Sequence, residues 1–292
     1  MGQSSVPPLG GEPFESGDPR AVIIPVPYEK TTTYRKGTAQ GPRALLEAST
    51  QVELFDEEMR IDPLHNGVLT HDPVICDGMP DVLADQLAEI CLPHMQAGRL
   101  VGCLGGEHSV SLGPIRAAAD TYGPIGILQV DAHPDLRDSY EGTKYGHGCV
   151  MRRALDLDEV TSLVAVGLRA VSDEDDAVIQ GDARVHPLYA IELATRARGE
   201  WIQNAIDALP ERVYVTFDLD GLDPSVVPGT GTPEPGGLGW WDALALMRAV
   251  FTQRSVVGFD VVELLPEPPS CVSDFAAARL VFKMLAYHGA ES

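Results

Sequence analysis

Hydrophobic positions along the chain follow two alternating periods. Apolar runs of five or six residues, closed by Gly, Pro or charged clusters, read as strands buried on both faces, and longer stretches with helical spacing lie between them. Residues 21–26 make a first strand, 27–37 a polar loop, and Gly41-Pro42 opens a helix to about Gln51 with proline in its favoured first turn. Over 52–80 the pattern predicts only a short strand near Val68 and another element around Val74. Residues 81–96 have helical periodicity interrupted by Pro93, 99–104 are a strand, and Ser109 is placed to cap a helix reaching about Tyr122. Further strands follow at 125–130, 163–166, 213–217 and 255–262. Further helices begin near His147, after the cap Ser172, and over 190–208, 239–252 and 272–287. Alternation of this kind, with long crossovers, predicts one doubly wound α/β domain: a mainly parallel sheet with helices on both faces. That domain is expected to span residues 20–292 behind a flexible tail, 1–19, rich in Gly, Pro and Ser.

The apolar run 125–130 breaks directly into Asp131, His133 and Asp135. Alternate positions just past a strand project to one side, so the three can converge, and open parallel sheets keep their active sites at such ends. Taken alone, the triplet reads equally well as a turn with a solvated histidine. Two other strand ends decide the matter. One leads into Gly105-Gly106-Glu107-His108-Ser109, where the glycines let the backbone approach closely as His108 turns inward; the other leads into Asp218-Leu219-Asp220. His147 lies on a loop near the same edge, and Glu263 closes the last strand.

Two imidazoles with four carboxylates exceed the needs of one divalent ion and suit two ions about 3.5–4 Å apart. Hard oxygen donors mixed with imidazole, without thiolate, point to Mn²⁺ before Zn²⁺, with Ni²⁺, Co²⁺ or Fe²⁺ tolerated. A water between such ions has its pKa lowered from 15.7 towards about 7, which suits hydrolysis of an electron-poor carbon.

Charge narrows the partners. With 43 acidic and 21 basic residues the net charge is −22, which argues against nucleic acid and against an anionic membrane surface. Five widely spaced cysteines without a Cys-x-x-Cys argue against a disulfide framework or a thiolate zinc site. The sequence shows no leader pattern or membrane-length apolar stretch, so a cytoplasmic protein is expected.

Gly105-Gly106-Glu107-His108-Ser109, Asp131-Ala132-His133-Pro134-Asp135 and Phe217-Asp218-Leu219-Asp220-Gly221-Leu222-Asp223-Pro224 resemble the three signature motifs of the ureohydrolases, the arginase and agmatinase superfamily. Tyr34-Arg35-Lys36-Gly37, Gly41-Pro42-Arg43, Thr230-Gly231-Thr232-Pro233 and Val261-Val262-Glu263 extend the resemblance over residues 20–288. It implies the three-layer α/β/α fold shared with metal-dependent deacetylases, and two Mn²⁺ per chain. One ion would take His108, Asp131, Asp135 and Asp218, the other Asp131, His133, Asp218 and Asp220. Asp135 would pass a proton to the departing amine, and His147 would shuttle protons or hold substrate. Glu263 would pair with the guanidinium, and Thr232 would contact substrate. The products would be urea and an amine.

The substrate implied is agmatine, because the arginase residues for the amino-acid end are replaced here by Arg137 and Thr143-Lys144-Tyr145-Gly146. Aminopropylagmatine, guanidinobutyrate, arginine and guanidine are the alternatives, and Arg137 in the pocket would favour an acid. A single-zinc deacetylase-like amidohydrolase or a non-catalytic binding relative is the reading from another class. The family also implies a homo-oligomer, a trimer or a hexamer.

Overall fold

The strands are β1 (Ala21–Val26), β2 (Val68–Thr70), β3 (Leu100–Gly105), β4 (Ile125–Val130), β5 (Val160–Leu168), β6 (Val185–Tyr189), β7 (Arg212–Asp218) and β8 (Ser255–Val262). The computed structural model, which describes residues 6–65 and 67–289, joins them in one sheet in the order β2-β1-β3-β8-β7-β4-β5-β6. Every pairing is parallel.

Around the sheet lie α1 (Gly41–Ser49), α2 (Pro80–Gln96), α3 (Leu112–Tyr122), α4 (Val150–Leu155), α5 (Asp173–Gly181), α6 (Ala190–Leu193), α7 (Arg198–Asp207), α8 (Trp240–Gln253) and α9 (Val272–Gly289). Side chains alternate along a strand, so each strand feeds two cores. Ile23, Leu128, Val130, Val215 and Phe259 pack with α1, α7, α8 and α9. Val22, Ile24, Val101, Ile127 and Val257 pack on the opposite face with α2, α3, α4 and α5. The three-layer α/β/α arrangement expected from the pattern is therefore the observed one.

Several local expectations are corrected. The strand β6 went unread because it is a five-residue edge strand containing His186 and Pro187; an edge tolerates a residue that cannot donate to the ladder. Residues 190–208 form two helices instead of one, because the Thr195 hydroxyl bonds the Glu192 carbonyl at 3.0 Å and Ala197 is extended. Pro93 does not interrupt α2, since it falls in the last turns where little of the ladder remains to be broken. Ser109 is no helix cap: it sits in the 3-10 turn His108–Ser111 and donates its hydroxyl to Glu107 at 2.5 Å. Around Val74 the chain is irregular and half-buried or exposed, with Val74 alone buried and its N–H donating to the Pro25 carbonyl at 2.9 Å.

Residues 1–5 of the expected tail lie outside the described residues. In the described part of the tail Val6 and Leu9 pack on the body, while residues 11–13 and 15–18 are exposed. Leu9 is buried in the core, its N–H donates to Thr70 Oγ1 at 3.0 Å, and the Gly10 N–H donates to Ser49 Oγ at 3.0 Å. No helix among the described residues is long and apolar enough to cross a membrane.

Candidate active site

The four central strands, β3, β8, β7 and β4, are neighbours in the sheet, and their carboxyl ends deliver His108, Glu263, Asp218 and Asp131 to one place. Close approach at β3 is what turns His108 inward. A Cβ on Gly106 would stand 2.0 Å from the Tyr28 carbonyl oxygen, so only glycine fits there. Beyond it, the Glu263 N–H donates to the Gly106 carbonyl at 2.8 Å, and the His108 N–H donates to Glu263 Oε1 at 2.8 Å. Asp135 and Glu263 hold φ of 54° and 63°, a left-handed backbone that costs about 1 kcal/mol or more per non-glycine residue. The Asp135 carbonyl is anchored in that conformation by the Met151 and Arg152 N–H groups, each at 3.1 Å.

His108 Nδ1 is fully buried and makes no well-aligned hydrogen bond among the described residues, yet three carboxylate oxygens surround it: Asp135 at 3.0 Å, Asp131 at 3.1 Å and Asp218 at 3.3 Å. Its other nitrogen, Nε2, lies 2.8 Å from Thr216 Oγ1, whose own proton goes to Asp260 Oδ1 at 2.7 Å. Thr216 therefore accepts from Nε2–H, which leaves Nδ1 as the atom facing the carboxylates, a proton donor to them in the metal-free protein and a lone-pair donor once a metal ion takes that proton's place. A second group lies beside it. His133 Nδ1 is 3.0 Å from Asp220 and 3.5 Å from Asp131. Bonds of about 2.0–2.2 Å at right angles separate neighbouring donors by about 3 Å, so these spacings fit divalent ions. His108, Asp131 and Asp218 can hold one ion and Asp131, His133 and Asp220 another, with Asp131 common to both.

Backbone and side-chain donors fix the carboxylates. The His133 N–H donates to Asp131 Oδ1 at 2.6 Å, the Asp220 N–H to Asp218 Oδ1 at 2.8 Å, and the Ala132 N–H to Asp220 Oδ1 at 3.0 Å. Gln129 Nε2 donates to Asp131 Oδ2 at 2.9 Å and to the His133 carbonyl at 3.0 Å. Gln129, Thr216 and Asp260 escaped the sequence reading, although each is a polar residue inside an otherwise apolar strand, where an unpartnered polar group would be costly.

All the expected site residues except Asp131 line one cavity of about 410 Å³: His108, His133, Asp135, Arg137, His147, Asp218, Asp220, Thr232 and Glu263. Asp131 lies beneath it, fully buried. Thr232 Oγ1 reaches Asp220 Oδ2 at 3.5 Å. The Arg137 guanidinium lies over the Tyr140 ring at 4.4 Å, its Nε donating to Ser172 Oγ at 3.4 Å and facing Asp175 at 3.9 Å. Its Nη atoms make no hydrogen bond among the described residues.

Electrostatically the cluster calls for cations. Burial pushes the Asp218 carboxyl well above its usual range, with repulsion from Asp220 and Asp131 adding to it; burial also raises Glu263 well up and, with Asp131, raises Asp135. Burial pulls the imidazoles the other way but is outweighed by facing carboxylates, leaving His108 well raised and His133 pushed up to about 12. Asp131 is opposite: despite burial, His108 and His133 hold it low.

Two predictions arise here. The raised groups bind protons more tightly in the fold than in the unfolded chain. Their stabilisation is complete below unfolded values of about 4 for carboxyls and about 6.5 for imidazoles, and is lost as pH rises through the folded values. Asp131 contributes oppositely, but its share disappears only in acid. Metal-free protein should therefore melt at progressively lower temperature between about pH 6 and pH 9, and divalent ions should flatten the trend. Differential scanning fluorimetry with and without chelator checks this; a rising metal-free profile would contradict it. Separately, Thr216→Val removes the acceptor that orients His108, so metal affinity should fall about 10–100-fold in a calorimetric titration, with folding retained.

Sequence comparison agrees with this geometry: the Arginase family profile matches residues 19–286. The chain belongs to the arginase family. It is 40% identical over 280 residues to the N(1)-aminopropylagmatine ureohydrolase of Synechocystis sp., covering 93% of this chain and 90% of that one. It is 29% identical to the agmatinase of Pyrococcus horikoshii, with 90% of each covered. Among solved structures, the agmatine ureohydrolase of Thermoplasma volcanium superposes with a TM-score of 0.86 at 30% identity, over 95% of this chain and 93% of that one. As an arginase-family ureohydrolase, the protein is a hydrolase, and the deacetylase and non-catalytic alternatives fall away.

Proposed function

We propose that the protein hydrolyses N(1)-aminopropylagmatine to urea and the corresponding triamine, with two manganese ions held by His108, Asp131, His133, Asp135, Asp218 and Asp220. The carrying observation is His108 Nδ1 set among three carboxylates, in a chain 40% identical to an enzyme of that name. Agmatine, the substrate expected from the motifs, ranks second because relatives named for it are more distant, at 29%, 30% and 32% identity.

When bound, the ions supply a nucleophile at neutral pH by acidifying a water. Glu263, whose Oε1 is occupied by the His108 N–H, offers Oε2 to the guanidinium and orients its carbon. Asp135, on the cavity wall beside His108, takes the proton of the attacking water and gives it to the departing amine as the C–N bond breaks. His147 holds the substrate or relays that proton outward, and Thr232 closes the wall beside Asp220. The acidic surroundings suit a cationic amine tail.

A second reading is favoured by Arg137, whose free guanidinium end on the cavity wall would bind a carboxylate tail such as that of guanidinobutyrate. Urea release across aminopropylagmatine, agmatine, arginine, guanidinobutyrate and guanidine separates the readings. Highest kcat/KM on aminopropylagmatine is expected, and preference for guanidinobutyrate that disappears in Arg137→Ala would replace it. The same reading includes assembly as a trimer or hexamer, and a cytoplasmic location suited to five unpaired cysteines.

A further inference from the structure

Glu107 is fully buried beside the site, yet it faces away from the metal-ligand cluster. Four donors fill its two oxygens. The Lys30 and Thr31 N–H groups donate to Oε2, each at 2.6 Å, while the hydroxyls of Thr31 and Ser109 donate to Oε1 at 2.7 and 2.5 Å. No position is left on this carboxylate for a proton, so it acts only as an acceptor.

That fixes the Thr31 hydroxyl. Its single proton is committed to Glu107, and its oxygen accepts the His147 backbone N–H at 3.0 Å. One lone pair remains, and His147 Nδ1 stands 3.1 Å from it. A hydroxyl whose proton is already used can only accept, so Nδ1 must carry hydrogen. The neutral ring is then left with its lone pair on Nε2, the nitrogen that makes no hydrogen bond among the described residues. Tyr140, edge-on at 5.8 Å between centroids, packs against the ring, and Gly146 leaves room for the contact, since a Cβ there would stand 3.2 Å from Thr31 Oγ1.

We propose that Glu107 and Thr31 are positioning residues that set the tautomer of His147, making Nε2 the atom that receives a proton or a substrate N–H in the cavity. The inference deepens the role given to His147 above. It concerns a chain of three residues whose direction is dictated by the fully occupied Glu107 carboxylate.

The test is sharp because Glu107→Gln should reverse the chain. The amide must keep its oxygen towards the two backbone N–H groups, so its NH₂ replaces Oε1 and donates to Thr31. The Thr31 proton is thereby freed and turns to His147 Nδ1, moving the ring hydrogen to Nε2. Long-range ¹H–¹⁵N correlation of the neutral imidazoles in chelator-treated protein reads this directly, with the His147 signals identified by their loss in His147→Asn. Wild-type protein should show hydrogen on Nδ1, Glu107→Gln hydrogen on Nε2, Thr31→Val no fixed preference, and Thr31→Ser the wild-type state. In metal-loaded protein Thr31→Val should lose about tenfold in kcat with a smaller change in KM, and Thr31→Ser should restore it. Hydrogen on Nε2 in the wild type, or an unchanged tautomer in Thr31→Val, would overturn the proposal. If Glu107→Gln fails to fold, the Thr31 pair still decides. The spectra need neither metal nor substrate, so an error in the substrate assignment would leave their outcome untouched.

Discussion

Asp131→Asn should abolish urea release, by a factor of about 10³ or more, equivalent to about 4 kcal/mol of lost transition-state stabilisation. Asp131 is the residue common to both groups of candidate ligands, with Oδ2 towards His108 Nδ1 at 3.1 Å and Oδ1 towards His133 Nδ1 at 3.5 Å. An amide at this position can offer a cation at most one oxygen and no charge, so both groups lose a donor together. The backbone should tolerate the change, because the amide oxygen can still accept the His133 N–H. Metal analysis should find fewer than one tightly held ion per chain, with the far-ultraviolet dichroism of the native fold. Full activity with one ion per chain would show that Asp131 is not shared.

Glu263→Gln should cost about 10²-fold in kcat/KM by a different route, and the metal content separates the two. Glutamine retains an oxygen for the His108 N–H at the Oε1 position but loses the charge that pairs with a guanidinium. Two ions per chain should remain bound while turnover falls. Loss of metal together with activity would instead make Glu263 a support for His108. The left-handed backbone of Glu263, φ 63°, is consistent with a residue held for its chemistry.

The core of the site was legible because a parallel sheet converts sequence into position: four strand ends bring their terminal residues to one edge. Asp131, His133, Asp218 and Asp220 stand at or just after the ends of apolar runs, so reading the strands also brought together the candidate donors. The supports were less legible. Asp260 is an acid in the middle of β8, and Thr216 a hydroxyl in β7, but only the register that pairs Thr216 with Asp260 shows that one orients the other beneath His108. Glu107, Thr31 and His147 are far apart in the chain, and nothing in their spacing announces a shared hydroxyl. Backbone conformation was equally hidden, since the left-handed Asp135 and Glu263 have ordinary side chains for their motifs. Arg137 was visible as a departure from the arginase pattern, and the structure adds that its Nη atoms are uncommitted on the cavity wall.

Titrating metal-free protein with Mn²⁺ while following urea release from aminopropylagmatine tests the central claim most directly. Two ions held by six side chains predict activity that rises to a break at two equivalents per chain and is lost again on chelation. A break at one equivalent, or undiminished activity in the chelated protein, would contradict the binuclear hydrolase proposed above.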